Sequence, residues 1–284
     1  MSRHPGKGYP ANAMGRPYRS TAALMLVGCL TMAACATVPV SGRQQLSLVP
    51  ASTMLSMSLQ QYDQFLKTHP VSSDALHTHQ VKKVGQRIAG AVERYFVEHG
   101  LAARLQGYGW EFNLVDSEEV NAWCMPGGKV VVYSGILPIA QDEAGLAVVM
   151  GHEIAHAVAE HGSERMGQML ALEMGGMALS VALSQSPQTT RELWMTVFGA
   201  GTQVGILLPY SRLHEREADH LGLIFMAMAG YDPHTAVAFW ERMAVAKGGK
   251  APPEFLSTHP SDAKRIQQIR KLIPEAMTHF RKAD

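Results

Sequence analysis

Two histidines and a glutamate stand at a spacing that can bind and use a metal ion. His152, Glu153 and His156 form an H-E-x-x-H sequence. Residues four apart lie on one face of a helix, so the two imidazoles can bind one ion together. Zinc accepts neutral imidazole nitrogens, and a catalytic zinc site keeps one position open for water. Glu153 follows the first histidine, where its carboxylate can take a proton from that water.

A surface helix that carries two histidines by chance is the alternative interpretation. Apolar residues dominate on both sides of the motif, in Leu146–Met150 before it and in Ala155–Val158 after it. Such flanks favour a buried helix, and burying two imidazoles and a carboxylate without a partner costs free energy. The sequence therefore favours a metal site.

A second charged segment, Tyr210–His220, offers the third ligand. Glu215 and Asp219 are four apart and share a helix face, so one carboxylate can bind zinc while the other orients a ligand imidazole. Glu217 projects from a different side of the helix and is a poorer companion. The alternative is a solvated helix start that Ser211 caps, because acidic residues are favourable there in any case.

Together these motifs resemble metallopeptidase family forty-eight, the gluzincin zinc endopeptidases. Two further segments fit the same family, N-A-x-x-x-P-G-G at Asn121–Gly128 and S-T-H-P at Ser257–Pro260. The resemblance covers residues 36 to 273 and is strongest to the short LoiP-like and BepA-like periplasmic lipoproteins of bacteria, which are related to Oma-type proteases.

The resemblance implies a role for each matching residue. It implies one Zn²⁺ per chain, held by three ligands: His152, His156 and Glu215. It makes Glu153 the general base and Asp219 the residue that orients a ligand. In BepA-like members a histidine of the T-H-P segment can occupy the open zinc position; that residue here is His259, and the nearby arginine of the family falls on Arg265. Without the resemblance, His259 would be an ordinary loop histidine.

The N-terminus resembles a bacterial lipoprotein leader. Arg16 and Arg19 precede an apolar run, 22–34, that is too short to span a bilayer comfortably and ends at Cys35. Cys29 is a competing lipidation site, but it leaves a shorter apolar run. A plain secretory signal or an uncleaved anchor are the alternatives. We expect a lipoprotein signal peptide at 1–34, a lipidated tether at 35–50 and one metallopeptidase domain at 51–284.

Composition restricts the partners. The 284 residues carry 25 Lys and Arg against 24 Asp and Glu, a formal net charge of +1, so the charge offers no support for nucleic-acid binding. If Cys29 and Cys35 leave with the leader or carry the lipid, Cys124 is the one cysteine left. An intramolecular disulfide is then impossible, and Cys124 is expected to be a buried, small apolar residue.

Periodicity predicts a mainly helical α+β domain of the zincin type, with a small sheet beside the H-E-x-x-H helix. Alternation and turn signals predict strands at 110–115 and 129–133. Helical spacing predicts helices at 50–68, 73–99, 142–161, two within 163–207, and others at 211–229, 233–246 and 261–272. Ser72 or Ser73 is the expected cap of the second helix. Ala218 and Gly222 are small enough to let another helix approach.

The segment 166–208 is rich in Gly, Ala, Met and Leu, with a polar break at Ser184–Gln188. It has too many glycines and polar interruptions for a secure membrane span. We expect a helical hairpin packed on the domain. The alternative is a mobile flap over the site, or a surface that rests on a bilayer.

The function that the resemblance implies is a zinc metalloendopeptidase of the bacterial envelope, lipid-anchored on the periplasmic side of the outer membrane. Its expected substrates are misfolded or stalled envelope proteins. An extended substrate could add to the strand at 129–133. The candidate substrate-binding residues are Asn121, Ala122, Lys129, Val130 and Val131. The alternative is a zinc-bound assembly factor or chaperone with little or latent proteolysis, because a histidine in the open position would restrain the enzyme.

Overall fold

The computed structural model describes residues 35–38, 41–247, 253–259 and 263–281. The expected signal peptide and Cys29 lie outside this part of the chain. The described residues contain five strands: β1 Cys35–Thr37, β2 Gln44–Leu46, β3 Glu111–Val115, β4 Ala122–Met125 and β5 Lys129–Tyr133. The helices are α1 Ala51–Thr68, α2 Ala75–Glu98, α3 Leu137–Ala140, α4 Glu143–Val158, α5 His161–Ala182, α6 Gln188–Thr202, α7 Leu208–Met228, α8 Thr235–Lys247, α9 Phe255–Thr258 and α10 Ala263–Thr278. The mainly helical α+β class is confirmed.

The H-E-x-x-H helix, α4, forms the centre of the hydrophobic core. All its residues are buried except Glu143, Ala144 and His156. The side chain of Asp142 caps it by accepting a hydrogen bond from the N–H of Gly145 at 2.8 Å. Such all-round burial matches a helix that is apolar on every side.

Helix α7 approaches α4 so closely that their backbones touch. A Cβ atom added to Gly222 would lie 2.9 Å from the backbone nitrogen of His152 and 3.0 Å from the carbonyl carbon of Gly151. Ala218, one turn earlier on α7, is fully buried. The small residues singled out in the sequence thus lie where the two helices meet.

The three-stranded sheet has the order β3–β5–β4. Strand β5 pairs with β3 in parallel and with β4 in antiparallel orientation, so its backbone has a partner on each side. The expectation that a substrate adds to 129–133 is therefore wrong, and Lys129, Val130 and Val131 are central sheet residues. Strands β3 and β4 form the two edges of this sheet, and β4 contains Ala122 and directly follows Asn121.

Several boundaries differ from the predicted ones for local reasons. Asp74, and neither Ser72 nor Ser73, caps α2 by accepting from the N–H of His77. Ser211 does not cap a helix, because α6 continues into α7 through a π turn at Gln203–Leu207, and Ser211 lies inside α7. Pro209 explains the widened turn, because it has no N–H to donate to the carbonyl four residues earlier. The helix predicted at 142–161 ends at Val158 instead.

The turn after α4 is made by an unusual residue. Glu160 has φ 60° and ψ 30°, the left-handed conformation that favours glycine, and α5 begins at the next residue. Arg104 binds the Glu160 carboxylate at 2.9 Å. The chain therefore reverses sharply here, at a residue type that does not predict such a turn.

The hairpin of α5 and α6 is less packed than expected. The buried residues of α5 all lie between His161 and Gln168, and α6 has none. Large apolar side chains are exposed along its distal half: Met174, Met177, Val181, Leu193, Trp194, Val197 and Val204. In the described part of the chain, none of the helices combines the length and the hydropathy that crossing a membrane requires.

Residues 35–38 and 41–50, which belong to the expected tether, form part of the folded unit. Strands β1 and β2 pair as an antiparallel hairpin, and the side chain of Val38 is buried in the main core. Beyond β2, Val49 is buried as well. The N-terminal hairpin, residues 35–38 and 41–46, therefore contacts the domain instead of leading loosely to it.

The Gly151–Gly222 contact generates a stability prediction. Gly222→Ala should lower the free energy of unfolding by about 1–3 kcal/mol, because the new methyl group meets backbone that cannot move aside. Gly199→Ala is the matched control, since a Cβ there meets nothing within 4 Å. Urea denaturation followed by circular dichroism measures both variants. Equal stability of Gly222→Ala and wild type would show that the helices can separate at no cost.

Candidate metal centre

Four side chains from three separate segments converge beside α4. His152 and His156 come from α4, Glu215 from α7, and His259 from the residue after α9. One nitrogen or oxygen of each lies within 4.8 Å of the others. Two helices and one loop thus build a single cluster of potential metal ligands.

The distances within this cluster suit a cation. Nε2 of His156 lies 3.1 Å from Nε2 of His152, and Nδ1 of His259 lies 3.1 Å from the same His152 atom. Oε1 of Glu215 lies 2.9 Å from Nδ1 of His259 and 3.3 Å from Nε2 of His156. Three ring nitrogens and one carboxylate oxygen this close together need a hydrogen or a cation between them, because their lone pairs would otherwise face one another, and a metal ion can meet that need.

Glu153 supplies a further sign that a group belongs here. Its side chain is buried, and its Oε1 takes no hydrogen bond from any residue that the structure describes. Nε2 of His259 lies 3.5 Å from that oxygen. A buried carboxylate oxygen without a hydrogen bond is costly, which fits a site that holds water next to a metal.

Asp219 and Arg265 lie behind the first histidine. Oδ1 of Asp219 is 3.0 Å from Nδ1 of His152, on the side of the ring that faces away from the cluster. Arg265, from α10, donates to both oxygens of Asp219, at 2.7 Å and 2.9 Å. The same guanidinium is 3.1 Å from Oε2 of Glu215 and lies 3.5 Å above the ring of Trp240.

Burial and charge act on these groups in opposite ways. Burial raises the pKa of Glu153. Burial also opposes ionisation of Glu215 and Asp219, but the histidines around Glu215, and Arg265 and His152 around Asp219, outweigh it and lower both pKa values. Two ionised carboxylates and one more basic carboxylate therefore share the site, which suits two fixed negative partners beside a proton acceptor.

The two histidines of the motif also differ. Although burial opposes protonation of His152, its hydrogen bonds with Asp219 and Glu215 raise its pKa to about 9. Burial lowers the pKa of His156 well below its ordinary value, although Glu215 is near it too. His152 is therefore the more basic of the two imidazoles.

A second polar cluster lies on the other side of His156, and the sequence did not point to it. It consists of five buried or half-buried residues: Arg43, His161, Glu164, His214 and Glu217. Nε2 of His161 is 3.1 Å from Glu217, and Nε2 of His214 is 2.8 Å from Glu164. Arg43 of the N-terminal hairpin binds both carboxylates, at 2.7 Å and 3.0 Å.

The signal that could have revealed this cluster is a repeated spacing. His161 and Glu164 are three apart on α5, and His214 and Glu217 are three apart on α7. Each histidine pairs with the glutamate of the other helix, and the two imidazole rings stack with centroids 4.3 Å apart. Against burial, the histidines and Arg43 lower the pKa values of Glu164 and Glu217 to about 2, so both are ionised.

The remaining candidates occupy different places. Lys129 donates to the carbonyl of Gly109 and to Glu111, on the sheet and outside the ligand cluster. Cys124 is a free, half-buried cysteine whose thiol pKa is raised by burial. Glu217 does not belong to the ligand cluster and binds Arg43 and His161 instead.

The sequence of this chain is similar to those of known proteins. The family model of peptidase family M48 matches residues 75–273. The mitochondrial metalloendopeptidase OMA1 of Schizosaccharomyces pombe is 41% identical over 177 residues, which cover 62% of this chain and 50% of that protein.

Two further relatives have been matched. OMA1 of Bos taurus is 31% identical over 84% of this chain and 46% of its own length. The β-barrel assembly-enhancing protease of Escherichia coli is 27% identical over 86% of this chain and 50% of its own length. This chain thus spans about half the length of the curated relatives that it matches. With a family match that covers most of its length, the chain belongs to peptidase family M48.

Proposed function

We propose that this protein is a zinc-dependent metalloendopeptidase that hydrolyses peptide bonds. The observation that carries the proposal is the convergence of His152, His156 and Glu215 around a buried glutamate with an unsatisfied oxygen. Membership of the M48 family and two relatives named as a metalloendopeptidase and a protease support the same reaction.

The residues present suit one Zn²⁺ per chain. His152, His156 and Glu215 would hold it, since two imidazoles and one carboxylate are a common ligand set for catalytic zinc. When bound, the ion would polarise the scissile carbonyl and lower the pKa of a water molecule toward about 7. Asp219 accepts the Nδ1 hydrogen of His152 and so keeps Nε2 of that ring free to bind.

Glu153 acts as the general base in this proposal. Its carboxylate takes a proton from the attacking water, and it can then give that proton to the leaving amine. A pKa raised by burial suits both steps, because a stronger base accepts the proton more readily and still returns it.

His259 occupies the position that substrate would need. It lies 2.9 Å from Glu215 and 3.5 Å from Glu153, between the third ligand and the base. Its carbonyl accepts a hydrogen bond from Arg265 at 3.4 Å, which ties the loop to the same arginine that holds Asp219. We propose that His259 restrains the resting enzyme and leaves when substrate enters.

An extended substrate would bind along β4 instead of β5. Edge strands present unpaired N–H and C=O groups that can pair with a peptide. Ala122 begins that strand and Asn121 directly precedes it, so we propose that these two of the expected substrate residues contact the peptide. Backbone pairing of this kind selects poorly between sequences, which suits varied protein substrates.

The cellular role is proposed from the leader and the relatives. Residues 1–34 would be a lipoprotein signal peptide, 35–50 the lipidated N-terminal segment and 51–284 the peptidase domain. The lipid on Cys35 would hold the protein on the periplasmic side of the outer membrane, with misfolded or stalled envelope proteins as substrates. A second candidate, an assembly factor or chaperone with latent proteolysis, is favoured by the place of His259 in the ligand cluster.

Replacing the base tests the reaction directly. Glu153→Gln should keep the fold and the zinc but lose nearly all casein cleavage, because the proton acceptor is gone while the ligands remain. Glu215→Gln should instead lose zinc, by about 10-fold or more in affinity. Metal analysis and casein cleavage with and without a chelator measure both. Normal cleavage by Glu153→Gln would refute the mechanism.

Removing the restraint tests His259. His259→Ala should raise basal casein cleavage several-fold while the zinc stays bound, because one position of the site is freed. His234→Ala, an exposed histidine paired with Asp232, is the control and should change nothing. Loss of activity with zinc intact would mean that His259 stabilises the transition state, and no change would make it an ordinary loop residue.

The anchor is tested at the mature N-terminus. Mass spectrometry should find a lipid-modified Cys35 as the first residue, and Cys35→Ser should release the protein from the membrane fraction. Cys29→Ser is the matched control and should remain lipidated. A mature chain that starts at Leu30 or Thr31 without lipid would contradict the proposal.

A further inference from the structure

We propose that His161 and Glu217 are positioning residues for the metal ligand His156, and that Arg43 of the N-terminal hairpin holds them in place. This inference rests on the proposed zinc centre. It assigns a purpose to the second polar cluster, which the hydrolytic mechanism alone does not use.

The contacts form a continuous line away from the metal centre. Nδ1 of His156 is 2.9 Å from Nδ1 of His161, and Nε2 of His161 is 3.1 Å from Oε2 of Glu217. Glu217 in turn is bound by Arg43 at 3.0 Å and accepts a hydrogen bond from Ser41. His161 and Glu217 are 3% and 6% exposed, so water cannot readily replace these partners.

One arrangement of hydrogens satisfies every member of this line. Nε2 of His156 faces the ligand cluster and must carry a lone pair to bind a metal. Its hydrogen then lies on Nδ1 and is donated to the lone pair on Nδ1 of His161. The hydrogen of His161 consequently lies on Nε2 and is donated to the carboxylate of Glu217. The carboxylate at one end thus selects the tautomer of the ligand at the other.

The two ligand histidines are supported in parallel ways. Behind His152 stands Asp219, whose carboxylate is held by Arg265. Behind His156 stands Glu217, whose carboxylate is held by Arg43, with His161 inserted between ligand and carboxylate. Each imidazole therefore has an arginine-bound carboxylate as its outer partner. Asp219 contacts its imidazole directly, whereas Glu217 acts on His156 through His161.

The backbone is shaped to make the longer support possible. His161 can face His156 because Glu160 adopts the left-handed conformation that turns the chain back. Such a conformation is strained in a residue other than glycine and persists where surrounding contacts enforce it. Arg104 supplies such contacts, because it binds the Glu160 carboxylate and donates to the carbonyl of Thr37 in the N-terminal hairpin.

A purely structural network is the competing explanation. In that case, changes to the cluster would lower stability but leave the zinc affinity of the folded protein unchanged. Zinc affinity, measured by competition with a chromophoric chelator at a temperature where each variant is folded, therefore separates the two explanations. It does not depend on turnover.

His161→Ala should weaken zinc binding by about 10- to 100-fold, as loss of an outer partner commonly does. His161→Asn should recover most of that affinity, because its side-chain oxygen can stand where Nδ1 stood and accept from His156. Arg43→Gln should give a smaller loss, since Glu217 stays but is less well held. His214→Asn is the matched control: it changes the stacked histidine of the same cluster, which touches no metal ligand, and should bind zinc as tightly as wild type.

Three results would overturn this inference without touching the proposed function. The first is a zinc affinity of His161→Ala equal to that of wild type, and the second is an equal loss of zinc affinity in His161→Ala and His161→Asn. The third is a loss in His214→Asn as large as that in His161→Ala. Failure of the wild-type protein to bind zinc would refute the proposed function, and this inference with it. If His161→Ala does not fold, the zinc affinities of His161→Asn and Arg43→Gln are compared with that of His214→Asn instead. An Arg43→Gln variant that binds zinc as tightly as wild type then counts against the proposal.

Discussion

The contact between Gly151 and Gly222 is the constraint on which the metal centre depends. It brings the backbones of α4 and α7 together, so side chains that leave the two helices on either side of the contact must meet. His152 is next to the contact on α4, and Asp219 is one turn away from it on α7. Ligands and their outer partners are thereby fixed by a rigid helix pair, which positions a site more accurately than loops can.

Five carboxylates lie buried in or near the core, and the fold balances four of them with two arginines. Arg265 serves Asp219 and Glu215, while Arg43 serves Glu164 and Glu217. A buried charge is tolerated where an opposite charge and hydrogen bonds satisfy it. Oε1 of Glu153 and Oε2 of Glu215 take no hydrogen bond within the described residues, but Arg265 lies 3.1 Å from that oxygen of Glu215. Glu153 is the group to which we assign the proton transfer.

Much of this arrangement is predictable from residue types and spacing. The H-E-x-x-H helix, the carboxylate pair Glu215 and Asp219, and the small residue Gly222 all follow from helical periodicity. Strand pairing was not predictable in the same way, because the order of strands depends on contacts distant in sequence, and β5 proved to be central. The role of His161 was not predictable, because it depends on the left-handed backbone of Glu160, a conformation that a glutamate side chain does not indicate. The start of α7 was misplaced because a π turn accommodates Pro209.

The wide separation in sequence of the residues around the centre has a consequence for biosynthesis. Arg43 meets Glu217 across 174 positions, and His259 and Arg265 come later still. Contacts of such long range form late in folding, because the intervening chain must first be closed. A nascent polypeptide therefore contains the H-E-x-x-H helix without the partners that give it a third ligand and oriented histidines. If the proposed peptidase function is correct, cleavage would become available only once synthesis has passed Arg265.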